Sequence, residues 1–184
     1  MVKLILGDHS YGTIKAIGAT SKGKIIVGKY CSIALRVRAL MAGDHNFDVI
    51  STFPFFHEGF PITDLIRKPP LPETQFYNAE HKFEIVIGND VWIGYGAVLF
   101  RDVNVGDGAV IGAFSTITKD IPPYSIAVGH SRIVRKRFSD EDIEFLLKLK
   151  WWDLPDQEVA DIAPILHNPN IELLKQWAKE NNKI

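Results

Sequence analysis

Apolar residues recur at a fixed step of six along the stretch from Ile87 to Ile121, IGNDVWIGYGAVLFRDVNVGDGAVIGAFSTITKDI. Starting at Ile87, the step falls on Ile93, Leu99, Val105, Ile111 and Ile117, all aliphatic. Glycine follows several of these, at Gly88, Gly94, Gly106 and Gly112. Four residues beyond each mark stands Val91, Ala97, Val103, Ala109, Ser115 or Ile121, mostly small or β-branched. An amphipathic helix repeats at about 3.6 residues and a half-buried strand at about 2, so neither accounts for the pattern. The step predicts a coil that turns a corner every six residues. Its aliphatic marks point into a narrow interior, and glycine or polar residues make the corners, where small residues or positive φ are tolerated. One such unit cannot bury its own face, so units stack into a solenoid.

The step also appears earlier, at Val27-Gly28 and Ile33, and Val27 lies 60 residues before Ile87, a multiple of six. The two blocks are therefore expected to be in phase, parts of one solenoid interrupted by an insertion. Upstream, short apolar pieces are broken by Gly7, Gly12, Gly18 and Gly23, and Ile17-Gly18 reads as an imperfect unit at the capping end. Pro122-Pro123 are expected to end the regular coils. Ser139-Asp-Glu-Asp142 is a helix-start signal with Ser139 as N-cap. Helices are predicted over residues 143–150, from Pro155 to about His167, and over 171–179, with the pair Trp151-Trp152 closing the first. The division follows: residues 1–138 form the coil domain, with an inserted loop at about 43–83, and 139–184 form a helical extension packed on the coil edge or on a neighbouring subunit.

The insertion carries GDHNFDVISTFPFFHEGFP, the run Lys68-Pro-Pro-Leu-Pro72, and the histidines His45, His57 and His81. Its prolines exclude a regular helix across it. Its many phenylalanines argue for order, and ordered loops of this length are usually functional.

Composition narrows the function classes. A hydrophobic fraction of 46% with 23% charged residues fits a globular domain. A net charge of −1 offers no general attraction to nucleic acid or to an anionic membrane. No apolar run approaches the roughly 20 residues of a spanning helix, and the N-terminus lacks a signal-peptide pattern. Cys31 is the sole cysteine, so an intrachain disulfide is impossible and a cytoplasmic location is the default expectation.

Together, the six-residue step, GKYCSIA (Gly28 to Ala34), GDHNFDVISTFPF (Gly43 to Phe55), IGNDVWIG (Ile87 to Gly94) and ITKDIPPY (Ile117 to Tyr124), followed by a helix ending in KWW, resemble the xenobiotic acetyltransferases. The resemblance runs from about Ile17 to Leu166. It implies a left-handed parallel β-helix, an exception to the right-handed crossover rule. It also implies a homotrimer, with acetyl-CoA in the groove between two subunits' coils and the protruding loop reaching the neighbour.

Acetyl transfer from a thioester needs a base for the acceptor's proton, donors for the oxyanion, and positioning of both substrates. By the resemblance, His45 is the general base, with His57 and His81 as the other loop histidines. An imidazole titrates near operating pH, as a base should. Asp48 either orients His45, binds the acceptor, or is a turn residue bonding its own backbone. Tyr30 and Ser32 match positions that line the acceptor pocket or its floor, and Trp92 matches a tryptophan near the thioester, with packing as the equal alternative reading. The resemblance assigns the pantetheine arm to backbone around Gly112-Ala113 and the phosphates to Lys119 and Arg132. Gly129-His130-Ser131-Arg132 replaces the Gly-Asn-Pro-Ala-basic segment of many relatives. Arg135, Lys136 and Arg137 read equally as a solvated charged face. Cys31 reads as an apolar filler and not a nucleophile.

No metal is expected. A γ-carbonic-anhydrase-like hydratase would need coil histidines, and there is none between Lys82 and Gly129. A non-catalytic scaffold would leave the long loop without a task. Val49-Ile50, between Asp48 and Ser51, resembles the spacing in sugar and polysaccharide acetyltransferases, which implies a carbohydrate acceptor, sugar or nucleotide-linked, with an antibiotic such as a streptogramin or chloramphenicol as the alternative.

Overall fold

The computed structural model describes residues 2–18, 23–43, 45, 49–53, 55 and 82–184. Thirteen short strands and three helices run in chain order among them. β1 (Lys3–Leu6), β3 (Lys24–Val27), β6 (Glu84–Ile87) and β9 (Asn104–Val105) form a first sheet. A second contains β4 (Ser32–Ile33), β7 (Trp92–Ile93), β10 (Val110–Ile111), β12 (Ser125–Val128) and β13 (Arg132–Lys136). The third contains β2 (Lys15–Ile17), β5 (Arg38–Leu40), β8 (Val98–Phe100) and β11 (Thr116–Ile117). From β3 to β11 the chain visits first, second and third sheet in rotation, and every pair between successive turns is parallel, as in a β-helix.

The six-residue step is the interior of this coil. Ile87, Ile93, Leu99, Val105, Ile111 and Ile117 are all buried, as are the plus-four residues Val91, Ala97, Val103, Ala109, Ser115 and Ile121. Facing residues in successive turns lie 18 apart, as in Ile93 with Ile111 and Leu99 with Ile117. Across the insertion, Val27 pairs directly with Ile87, so the two blocks are in phase. β5 ends at Leu40 and β6 resumes at Glu84, so the inserted chain leaves and rejoins at one corner of the coil.

Two corner positions have different jobs. The residue after each mark sends its N–H to the next turn, as Gly88 does to the Val105 carbonyl and Gly106 to the Ile121 carbonyl, each at 2.8 Å. A Cβ on Gly88 would lie 2.7 Å from the Asp107 nitrogen, so glycine is required there by close approach. Positive φ falls two residues later, at His9, Tyr30, Asp90, Gly108 and Tyr124, which form one column along the first-to-second-sheet corner. Each backbone N–H from Tyr30 to Tyr124 in this column bonds the preceding turn.

Two expectations need correction. The coil does not end at Pro122-Pro123: Ile121 still bridges Val105, β12 pairs with β10, and His130 bridges Thr116. Proline is tolerated at this corner because β9 is the last strand of the first sheet and no further turn needs the missing N–H. β13 then folds back antiparallel on β12 and covers its edge. At the other end, Ile17 is outward and 38% exposed, while Ile14 and Ala16 take the inward places opposite Val37 and Ala39. The pairing partners there are 23 residues apart, as Lys15 with Arg38, so the count by sixes is out of register in the first turn.

The helical tail is α1 (Asp140–Leu149), α2 (Asp156–Leu166) and α3 (Glu172–Glu180), with a 3₁₀ turn at Trp151–Asp153. Ser139 caps α1 by accepting from the Asp142 N–H at 3.2 Å. Lys150, in the left-handed region, ends the helix. The tail packs on the positive-φ column: Tyr30 lies against Trp151, Lys29 pairs with Asp153 at 2.9 Å, and His9 bonds Asp156 at 3.0 Å.

Gly108 satisfies both corner requirements at once. Its φ is +67°, and a Cβ would lie 2.3 Å from the Tyr124 ring. Gly108→Ala is expected to cost about 2 kcal/mol or more, read as a lowered Tm in thermal unfolding.

Candidate active site

His45 is exposed, and its Nδ1 lies 2.7 Å from the Thr52 carbonyl oxygen. A carbonyl can only accept, so Nδ1 carries a proton, and in the neutral ring Nε2 keeps the lone pair. The loop backbone thereby selects the tautomer that can take a proton from an acceptor. Asp48, His57 and His81 lie outside the described residues.

Ser32 and Trp92 are register partners on adjacent strands β4 and β7. Because neighbouring side chains in a strand alternate faces, the buried marks Ile33 and Ile93 turn both outward. Trp92 is 57% exposed, a large indole available to a ligand. Tyr30, two residues before Ser32, is held differently: its ring stacks on His9 at 4.6 Å and meets Trp151 at 4.8 Å. Packing under the tail occupies that ring.

The late-coil residues divide as well. Gly112 gives its N–H to the Ala127 carbonyl at 2.8 Å, so that amide is committed within the coil. Ala113 is exposed at the corner, and its N–H has no intramolecular acceptor among the described residues. Lys119 and Arg132 are exposed, and each adjoins a bonded pair, since the Thr118 N–H donates to Ser131 Oγ at 2.8 Å. His130 Nε2 is 3.5 Å from Thr118 Oγ1, so the altered Gly129–Arg132 segment is knitted to β11.

Arg137 is not part of a solvated face. It is half-buried, donates to the Gly108 carbonyl at 2.6 Å and to Asp90 at 3.3 Å, and lies over the rings of Tyr124 and Phe138. Burial raises the Asp90 carboxyl above its ordinary range in spite of this partner. A basic run reads as a surface in one dimension; the turn of β13 into α1 buries its last member.

Cys31 is fully buried and its S–H donates to the Gly88 carbonyl at 3.0 Å. Burial pushes its thiol up, the opposite of what a nucleophile needs. Sequence reasoning missed the Thr52 carbonyl and the corner column. The column had a signal, a recurrence three residues after each mark, but its mixed residue types concealed it.

Residues 84–119 match the family described as bacterial transferase hexapeptide (six repeats). The chain is 41% identical over 165 residues to a probable macrolide acetyltransferase of Lysinibacillus sphaericus, covering 86% of each chain. It is 37% identical over 166 residues to a chloramphenicol acetyltransferase of Agrobacterium fabrum, covering 86% of this chain and 74% of that one. A galactoside O-acetyltransferase of Escherichia coli is 44% identical, but over 91 residues, which are 49% of this chain and 40% of the other. Among solved structures, the N-acyltransferase AntD from Bacillus cereus, in complex with dTDP and 3-hydroxybutyryl-CoA, has a similar fold (TM-score 0.51, 20% identity, 81% of this chain and 72% of that chain). With the stacked hexapeptide coils and near-full-length kinship to curated acetyltransferases, the chain belongs to the xenobiotic acetyltransferase family and is an acetyltransferase.

Proposed function

We propose that the chain transfers the acetyl group of acetyl-CoA directly to a hydroxyl or amine of a small acceptor, with His45 as general base. The observation that supports this most is the 2.7 Å contact from His45 Nδ1 to the Thr52 carbonyl, which leaves Nε2 able to accept. Nε2 takes the acceptor's proton as the acceptor oxygen or nitrogen attacks the thioester carbonyl carbon. The tetrahedral oxyanion collapses, the C–S bond breaks, and the leaving CoA sulfur takes the proton back from the imidazolium. No acyl-cysteine is needed.

The acting form is a left-handed β-helical homotrimer, because the described coil face and the loop are then supplied to one groove by different subunits. Trp92 and the Ala113 amide border the thioester and pantetheine, Gly112 leaves room for the arm, and Lys119 and Arg132 face the phosphates. Ser32 borders the acceptor, with Asp48 beside His45, while the Tyr30 ring stays packed under the tail. Residues 1–138 are the coil domain with its loop, and 139–184 the helical extension. Among the described residues no helix is long and apolar enough to cross a membrane, and the proposed location is the cytoplasm.

For the acceptor, relatives matched over most of their length bear the names of macrolide and chloramphenicol acetyltransferases, which supports a hydroxylated antibiotic as the first candidate. A carbohydrate is the second, supported by the spacing at Val49-Ile50 and by the galactoside O-acetyltransferase matched over half of this chain.

His45→Ala should lower kcat by ~10²–10⁴-fold while CoA affinity, measured by calorimetry, stays near wild type. Near-wild-type turnover would remove His45 from the role. Light scattering on the purified protein should give three times the 20.7 kDa chain mass; a monomer fully active at the same concentration would exclude a shared groove. A thiol-release panel of chloramphenicol, a streptogramin A, a macrolide and simple sugars should show saturable turnover on one of the drugs. Turnover on the sugars alone would transfer the assignment to carbohydrate.

A further inference from the structure

Between the positive-φ column and the helical tail lies a cleft of about 360 Å³, on a different corner of the coil from the Ala113 amide. Its volume falls in the range of small-ligand sites, roughly 300–1,000 Å³, and is too small for a whole CoA. Aromatic and aliphatic side chains wall it, among them Tyr30, Phe138, Leu146, Trp151 and Leu174. Its polar groups are Asp90 and Tyr124 from the column, Arg137 beside them, and His167 and Asn168 from the tail. Arg137 is already engaged by Asp90 and the Gly108 carbonyl. The Tyr124 hydroxyl is not. Tyr124 is 1% exposed, and its Oη has no hydrogen-bond partner among the described residues. Buried polar atoms are nearly always bonded, so an unpartnered hydroxyl on a residue of the cleft wall points to an acceptor supplied from the cleft. Burial raises its pKa, so it stays a donor across the physiological range.

We propose that this cleft is a second binding site, taking a small neutral aromatic molecule that presents a carbonyl or ether oxygen to the Tyr124 hydroxyl. The ring stacks among Tyr30, Phe138 and Trp151, where aromatic partners give both area and geometry. Neutrality follows from the polar pair: the guanidinium has its carboxylate, and an anion would face the poorly solvated Asp90. The site is independent of acetyl transfer.

The test is a ligand-observed NMR titration of the full chain with benzamide and acetophenone, against benzoate and toluene. Both carbonyl probes are expected to saturate with Kd at or below about 1 mM. Toluene, lacking the acceptor, should bind about three- to tenfold more weakly, and benzoate more weakly still. Tyr124→Phe should reduce benzamide affinity to that of toluene, while the Tm of the ligand-free variant stays level or rises. Ala163→Trp, at an exposed rim position of α2, should abolish binding of all four and leave acetyl transfer unchanged. No saturation by either carbonyl probe to about 10 mM would overturn the proposal. So would benzamide binding that ignores Tyr124→Phe, or a Tyr124→Phe variant with a lowered Tm, since the hydroxyl would then already be bonded. Loss of acetyl transfer in Ala163→Trp would place the cleft in the acetyl-transfer site and overturn its independence.

Discussion

Each turn of the coil can close only if its inward residue stacks on the equivalent residue of the turn before. Ile93 stacks between Ile33 and Ile111, and Leu99 between Ala39 and Ile117, so each inward residue is held by the turns on both sides. The corners enforce the same spacing from the backbone side. Gly88 and Gly106 pass their N–H to the next turn, and the approach is too close to admit a Cβ. A long insertion is therefore tolerated at a corner but not within a strand. It leaves after β5 and returns at β6 without disturbing the pairing of Val27 with Ile87. Residues far apart in the chain can be added there because the stack, not chain continuity, carries the register.

That constraint also explains how a rigid scaffold holds chemistry on loops and edges. Outward residues of the second sheet, Ser32 and Trp92, are positioned by the buried marks beside them, Ile33 and Ile93. His45 lies beyond the coil, and its tautomer is chosen locally by Thr52. The tail has a different anchor. It grips one column of corner residues through Tyr30, Lys29, His9 and Arg137, and encloses a cleft beside a buried tyrosine hydroxyl that has no partner among the described residues.

Most of the fold was legible because its cause is periodic. The inward residues from Ile87 to Ile121, the phase across the insertion and the Ser139 cap all follow from local residue type and spacing. Departures arose where a neighbouring turn, or its absence, decides. Pro122-Pro123 look like a terminator, yet the coil continues because no later strand of the first sheet needs their N–H. Arg137 looks solvated until the turn from β13 into α1 sets its guanidinium over the rings of Tyr124 and Phe138. Gly112 looks like an available amide until β12 supplies the Ala127 carbonyl.

By itself, the sequence determined the step of six, hence the stacked coil, and its motifs singled out the histidine proposed as the base. A repeat is a local rule applied many times, so it can be read without knowing the third dimension. The tertiary structure decided which ring nitrogen of His45 is free, which glycine amide is already used, and that Tyr30 serves the tail as a packing residue. Those depend on partners separated by many residues, and only the stacking of turns brings them within hydrogen-bonding or van der Waals distance.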